Sequence, residues 1–107
     1  MLNAAELLLE TGGSAATASQ YVNEVRQRAG LAPLASVSKD DVIEERHLEF
    51  VGEGKRYWDL VRTGKAATVL VPDTYGYRTN AWTPNKKYIP IAQAELDSDP
   101  NLKQNEY

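Results

Sequence analysis

Glycine divides this chain. Gly12-Gly13, Gly30, Gly52, Gly54 and Gly64 cut its first 64 residues into short runs, and within each run apolar side chains return every three or four positions. That spacing is the period of an amphipathic helix, and glycine is the residue most often found just past a helix end. The pattern therefore predicts a mostly α chain of short helices joined by tight corners.

Leu2, Ala5, Leu8 and Leu9 place a first helix over residues 2–10. No capping residue precedes it, and an uncapped start at Met1 suggests a cut into a longer protein. A second helix is expected over residues 15–29, with Ser14 or Thr17 as its cap. Ala18, Tyr21, Val22, Val25 and Ala29 make its apolar stripe; Gln20, Asn23, Glu24 and Gln27 lie opposite. Glu24 and Arg28 stand at i,i+4 in the favourable order. Gly30 suits a left-handed cap, with Leu31 folding back over the last turn. Across the Gly-Gly turn these two helices form an antiparallel hairpin.

Ser38 begins a third helix, with Asp41 in the place that closes a capping box, running to about Val51. A fourth is expected from Lys55 to Arg62, with a short continuation over Ala66–Leu70. Two successive helical hairpins result. After Pro72 the character changes. Residues 72–87 mix Pro, Gly, Asn and Thr with Tyr75, Tyr77 and Trp82, and Tyr88-Ile89-Pro90-Ile91 reads as extended. Prolines keep that segment from being a central strand. Ala92–Leu96 suits a single helical turn, and the tail from Asn101 is expected to be irregular. The expectation is one domain over residues 1–107, helical over 1–71 and an irregular aromatic-rich coil over 72–107.

Composition excludes several classes of function. The net charge is -3 with both signs interspersed, so there is no basic footprint for nucleic acid. Without cysteine there is no disulfide framework and no thiolate metal site. The one histidine, His47, has no second histidine and no HExxH pattern beside it, so it reads as a half-buried packing residue and not a metal ligand. No apolar run approaches the roughly 20 residues that span a bilayer. The N-terminus lacks the basic and apolar regions of a signal peptide.

The densest chemistry is EERHLEFVGEGKRYWDLVRTG, residues 44–64. On a helical wheel Arg46 falls among Val42, Ile43 and Phe50, where a guanidinium needs acids and carbonyls for its five donors. Glu49 and Glu53 are within reach, and Arg56, Asp59 and Arg62 follow at i,i+3. These six residues are expected to form a structural charge network across the Gly52-Glu53-Gly54 corner. Glu45 and Glu49 have the spacing of a glycosidase pair. Beside arginines, however, carboxylates keep their charge, and a general acid must hold a proton. No catalytic residue is expected. The Gly52-x-Gly54 pair follows a helix and lacks a GKS or GKT ending, so it is not a phosphate loop.

Tyr75, Tyr77 and Trp82 differ, because they lie in a coil rich in Asn and Thr. Aromatic faces beside amides suit the apolar faces and hydroxyls of a sugar. They are the candidate ligand contacts; the alternative is that the rings pin a long loop to the helices.

The ordered series Leu2-x-x-Ala5-Glu6, Tyr21-Val22-Asn23-x-Val25-Arg26-x-Arg28-Ala29-Gly30-Leu31, Glu45-Arg46-x-x-Glu49-Phe50-x-x-Glu53-Gly54-x-Arg56-x-x-Asp59-Leu60-x-Arg62, Tyr88-Ile89-Pro90-Ile91 and Asn101-Leu102-x-Gln104-Asn105-x-Tyr107 resembles the C-terminal part of the SusD/RagB family. The resemblance implies tetratricopeptide-like helical hairpins. It also implies a non-catalytic, cofactor-free, lipid-anchored outer-membrane protein at the cell surface. Such a protein binds oligosaccharide, or peptide in some branches, and works with a SusC-like TonB-dependent transporter in nutrient uptake and polysaccharide utilisation. Ala92 and Glu106 depart from the family pattern, and the chain is several times shorter than family members. It is expected to be a C-terminal piece serving mainly as helical scaffold. The alternative is a general helical protein-interaction module without sugar binding.

Overall fold

Six α-helices and one 3-10 turn order the computed structural model, which describes all of residues 1–107 and contains no strand. They are α1 (Leu2–Glu10), α2 (Ala15–Arg28), α3 (Lys39–Glu49), α4 (Arg56–Arg62), α5 (Ala66–Val69) and α6 (Gln93–Ser98), with the 3-10 turn at Pro84–Lys87. The chain divides into two compact units, Met1–Arg56 and Tyr57–Tyr107. None of the helices is long and apolar enough to cross a membrane.

Local chemistry explains where these helices begin and end. Ser14 caps α2, its hydroxyl accepting from the Thr17 backbone N–H at 3.2 Å. At the other end Gly30 takes φ +74°, the Leu31 N–H returns to the Arg26 carbonyl at 2.9 Å, and the Gly30 N–H reaches Gln27 at 3.0 Å. That is a complete Schellman ending, and it needs the left-handed backbone that glycine supplies without steric cost. Both bonds of the capping box start α3: the Asp41 N–H donates to Ser38 Oγ, and the Ser38 N–H donates to Asp41 Oδ2 at 2.8 Å. The Ser38 hydroxyl also donates to Asp41 Oδ2, at 2.6 Å, and this bond first and the Ser38 backbone N–H second hold the Asp41 carboxyl below its ordinary value. α3 closes at Glu49, short of Val51, because the chain turns at Phe50 into the glycine corner. α6 starts at Gln93 and runs to Ser98, longer than the single turn expected after Ala92.

In the first unit α1 packs on both α2 and α3. Leu2 and Ala5 of α1 meet Ala18, Val22 and Val25 of α2 and Val42 of α3, with Val37 closing the end. Val22 and Val42 are fully buried, and burying such a side chain stabilises the fold by about 1.5–3 kcal/mol. Lys39 reaches Glu10 at 2.8 Å while Arg46, further along α3, reaches Glu6, so α1 and α3 run antiparallel. The connector after α2 is held by side chains. The Asn23 amide donates to the Leu34 carbonyl at 3.0 Å and accepts its N–H at 2.8 Å, and Arg26 Nε donates to Ala32.

A similar clamp orders the second unit. The Gln104 amide exchanges two 2.9 Å bonds with the Ile91 backbone, and Asn105 donates to the Ile89 carbonyl. Side-chain amides here satisfy the extended segment that a neighbouring strand would otherwise pair.

Candidate functional site

The charged stretch forms ion pairs both within itself and with other helices. Arg46 is buried, 8% exposed. It hydrogen-bonds the Asn3 side chain, lies 3.9 Å from Glu6, and sits 5.1 Å over the Phe50 ring. Lys55 covers the same ring at 4.3 Å. Glu49 pairs with Arg28 of α2, where an i,i+4 pair between Arg28 and Glu24 was expected; Glu24 accepts from Gln20 instead. Glu53 takes Lys55 at 2.7 Å. Arg56 donates to the Ile43 carbonyl and to Glu44, each at 3.4 Å. Asp59, buried, accepts both Nε and Nη2 of Arg62, at 3.0 and 2.6 Å.

The glutamates considered as a catalytic pair are held the same way. Glu45 is 5% exposed and bound to Arg26 at 2.9 Å. His47 Nδ1 lies 3.5 Å from Glu44 Oε1, too far for a good hydrogen bond. No group of three His, Cys, Asp or Glu side chains gathers to hold a metal.

The aromatic coil is organised around Asp73, a residue that sequence reading passed over. Its carboxylate accepts the backbone N–H groups of Tyr75 and Tyr77 on Oδ1, at 2.9 and 3.1 Å, and of Arg78 on Oδ2 at 2.7 Å. The Asp73 N–H returns to the Arg78 carbonyl at 3.0 Å, closing the loop. Desolvation pushes the carboxyl up, but donation from Arg78, Tyr75, Tyr77 and Gly76 outweighs it, and the group titrates below its ordinary value. Gly76, at φ +81°, makes the turn possible. Arg78 then reaches back, donating from Nη1 to the Val69 and Val71 carbonyls at 3.2 and 3.0 Å. An Asp three residues ahead of a Gly in a polar coil was the available signal, since Asp side chains take up backbone N–H groups in such turns.

The loop presents two rings. Tyr75 and Tyr77 are 83% and 93% exposed, with centroids 6.5 Å apart and planes inclined by 36°. Trp82 is separate from them. It is half-buried, its indole N–H donates to the Tyr57 hydroxyl at 3.2 Å, and its backbone N–H bonds Leu70 at 3.1 Å. Tyr57 in turn donates to the Lys86 carbonyl and meets Trp58 edge to face at 5.1 Å. The three candidate aromatics therefore divide into an exposed tyrosine pair and a tethered tryptophan.

The whole of residues 1–107 matches the model of the SusD family. The chain belongs to the SusD family. Among solved structures it is similar to surface glycan-binding protein A from Bacteroides uniformis, at 65% identity and a TM-score of 0.93, over 98% of this chain and 25% of that one. It is also similar to surface glycan-binding protein A from Bacteroides thetaiotaomicron in complex with laminarihexaose, at 59% identity and a TM-score of 0.86, over 99% of this chain and 23% of that one. The starch-binding protein SusD of Bacteroides thetaiotaomicron is 32% identical over 109 residues, covering 98% of this chain and 19% of its own length. This SusD-family chain thus spans about a fifth to a quarter of the relatives it matches. The resemblance drawn from the motif series is confirmed, and so is the all-helical fold that it implied.

Proposed function

We propose that this chain is part of a non-catalytic surface glycan-binding protein, and that Tyr75 and Tyr77 contact the oligosaccharide. The observation that carries the reading is 59% identity, at a TM-score of 0.86, to a protein whose structure holds laminarihexaose. The tyrosine pair supports it chemically. Two exposed rings inclined to one another offer apolar faces to successive units of a glycan that turns along its length. Trp82 belongs to the same coil, with its ring tethered to the Tyr57 hydroxyl. The charge pairs around Arg46, Glu49, Glu53, Arg56, Asp59 and Arg62 serve as scaffold. In the whole protein the partner is a SusC-like TonB-dependent transporter at the outer membrane, reached through a lipid anchor.

Calorimetric titration with laminarihexaose tests the reading. The chain is expected to bind, and Tyr75→Ala with Tyr77→Ala together to weaken binding by tenfold or more, about 1.4 kcal/mol. An unchanged affinity in the double variant refutes the tyrosine contact. Release of shorter sugars during incubation refutes the non-catalytic assignment.

A further inference from the structure

The tyrosine pair is more exposed than a free loop should allow while keeping a defined geometry. At 83% and 93% exposure, neither ring rests on the body of the protein. Packing therefore does not fix where they stand; the backbone beneath them does. Three main-chain N–H groups converge on one carboxylate, the Asp73 N–H returns to the Arg78 carbonyl, and the Arg78 guanidinium holds the carbonyls of Val69 and Val71 at the foot of the loop. Asp73 thus closes the turn from inside and Arg78 fastens it from outside.

We propose that Asp73 and Arg78 are positioning residues for glycan binding, holding the Tyr75–Tyr77 pair at its inclination before ligand arrives. The inference rests on the tyrosine contact proposed above. Neither residue needs to touch sugar. Asp73 has both oxygens turned to its own backbone, and Arg78 Nη1 donates to two carbonyls. Their effect is on the ordering that binding would otherwise have to supply. A ligand meeting a mobile loop must immobilise it, whereas a loop already closed leaves that free energy in the affinity. Charge-assisted bonds to a carboxylate are the stronger kind, so one acid can order six residues that no core covers.

The test uses calorimetry with laminarihexaose and amide hydrogen exchange of the unliganded chain. Asp73→Ala is expected to weaken binding on the order of tenfold and to speed exchange at the Tyr75, Tyr77 and Arg78 amides, leaving those of α2 unchanged. Arg78→Met is expected to act in the same direction with a smaller effect, and it keeps the proposal testable where Asp73→Ala fails to fold. In a background carrying Tyr75→Ala and Tyr77→Ala, Asp73→Ala should cost no further affinity, since it acts only through the rings. A full loss in that background overturns the proposal. So does an unchanged affinity, or unchanged exchange, on removing Asp73 from the otherwise intact chain. If the double tyrosine variant itself binds normally, the tyrosine contact fails and the positioning role falls with it. Normal binding in Asp73→Ala but not in the tyrosine variant sinks the positioning role alone.

Discussion

Arg46→Ala should be a strongly damaging charge substitution in the first unit. The guanidinium is 8% exposed, with Glu6 at 3.9 Å (itself mostly buried), the Asn3 side chain as a hydrogen-bond partner and the Phe50 ring at 5.1 Å. Removing one member of a buried pair costs about 3–5 kcal/mol, because the other charge stays behind in a poor solvent. The long N···O separation places this pair near the low end, about 3 kcal/mol, and loss of the ring contact adds about 0.5–1 kcal/mol. A chain of this size has about 5–15 kcal/mol in total, so more than a fifth of its stability is at stake. Thermal unfolding followed by far-ultraviolet circular dichroism should show a midpoint lower by about 14–32 °C. The control is Arg28→Ala. Arg28 also pairs with a glutamate, but it is 68% exposed, and exposed pairs contribute about 0–1 kcal/mol. If the two variants melt together, burial of the pair is not what stabilises α1 against α3. Arg46→Met separates charge from stem: recovery of most of the stability would show that packing over Phe50 dominates.

Other expectations follow from single contacts. Ser38→Ala should destabilise by about 0.5–2 kcal/mol in urea titration, since it removes the oxygen that accepts the Asp41 N–H. Gly30→Ala should cost about 1–2 kcal/mol; nothing lies within 4 Å of the added carbon, so any loss is backbone strain at φ +74°. Leu60→Ala, at 1% exposure, should cost about 2–5 kcal/mol with an unchanged denaturant slope. The carboxyls of Asp41 and Asp73 are both held low, so the folded state takes up their protons less readily than the unfolded chain. Their contribution is complete above the ordinary carboxylate value of about 3.9 and is lost as pH falls through the lower folded values. Protection of the Tyr75, Tyr77 and Arg78 amides, taken as the exchange rate relative to the intrinsic rate at each pH, should accordingly stay constant from neutral pH to about 4 and fall below it; loss of protection near pH 6 would refute the carboxylate cradle.

Local pattern was enough for the helices of this protein. Ser14 and Ser38 at the starts, Asp41 three residues into the capping box, and Gly30 past the end of α2 each act within one turn of the chain, so their geometry can be read from spacing alone. The placement of Arg46 among apolar residues was equally visible, because a helical wheel needs no partner. What the wheel could not supply was the partner. Asn3 is 43 residues away and Glu6 lies on another helix. Within residues 44–64 Arg56 reaches Glu44 across the glycine corner and Asp59 takes Arg62, while Glu49 turns out of the stretch to Arg28. A long charged side chain reaches whatever opposite charge the packing brings near, and only the assembled helices decide which that is.

The aromatic coil shows the same boundary. Its composition marked Tyr75, Tyr77 and Trp82 as one group, and the folded chain separates them. Trp82 binds the hydroxyl of Tyr57, 25 positions earlier, while the tyrosines stand free on a loop closed by Asp73. Sequence by itself determined the helices, their caps and the family, since these rest on short-range geometry and an ordered set of motifs. Tertiary structure alone decided which charges pair and which rings are exposed. Those properties belong to neighbours in space, which chain spacing does not record.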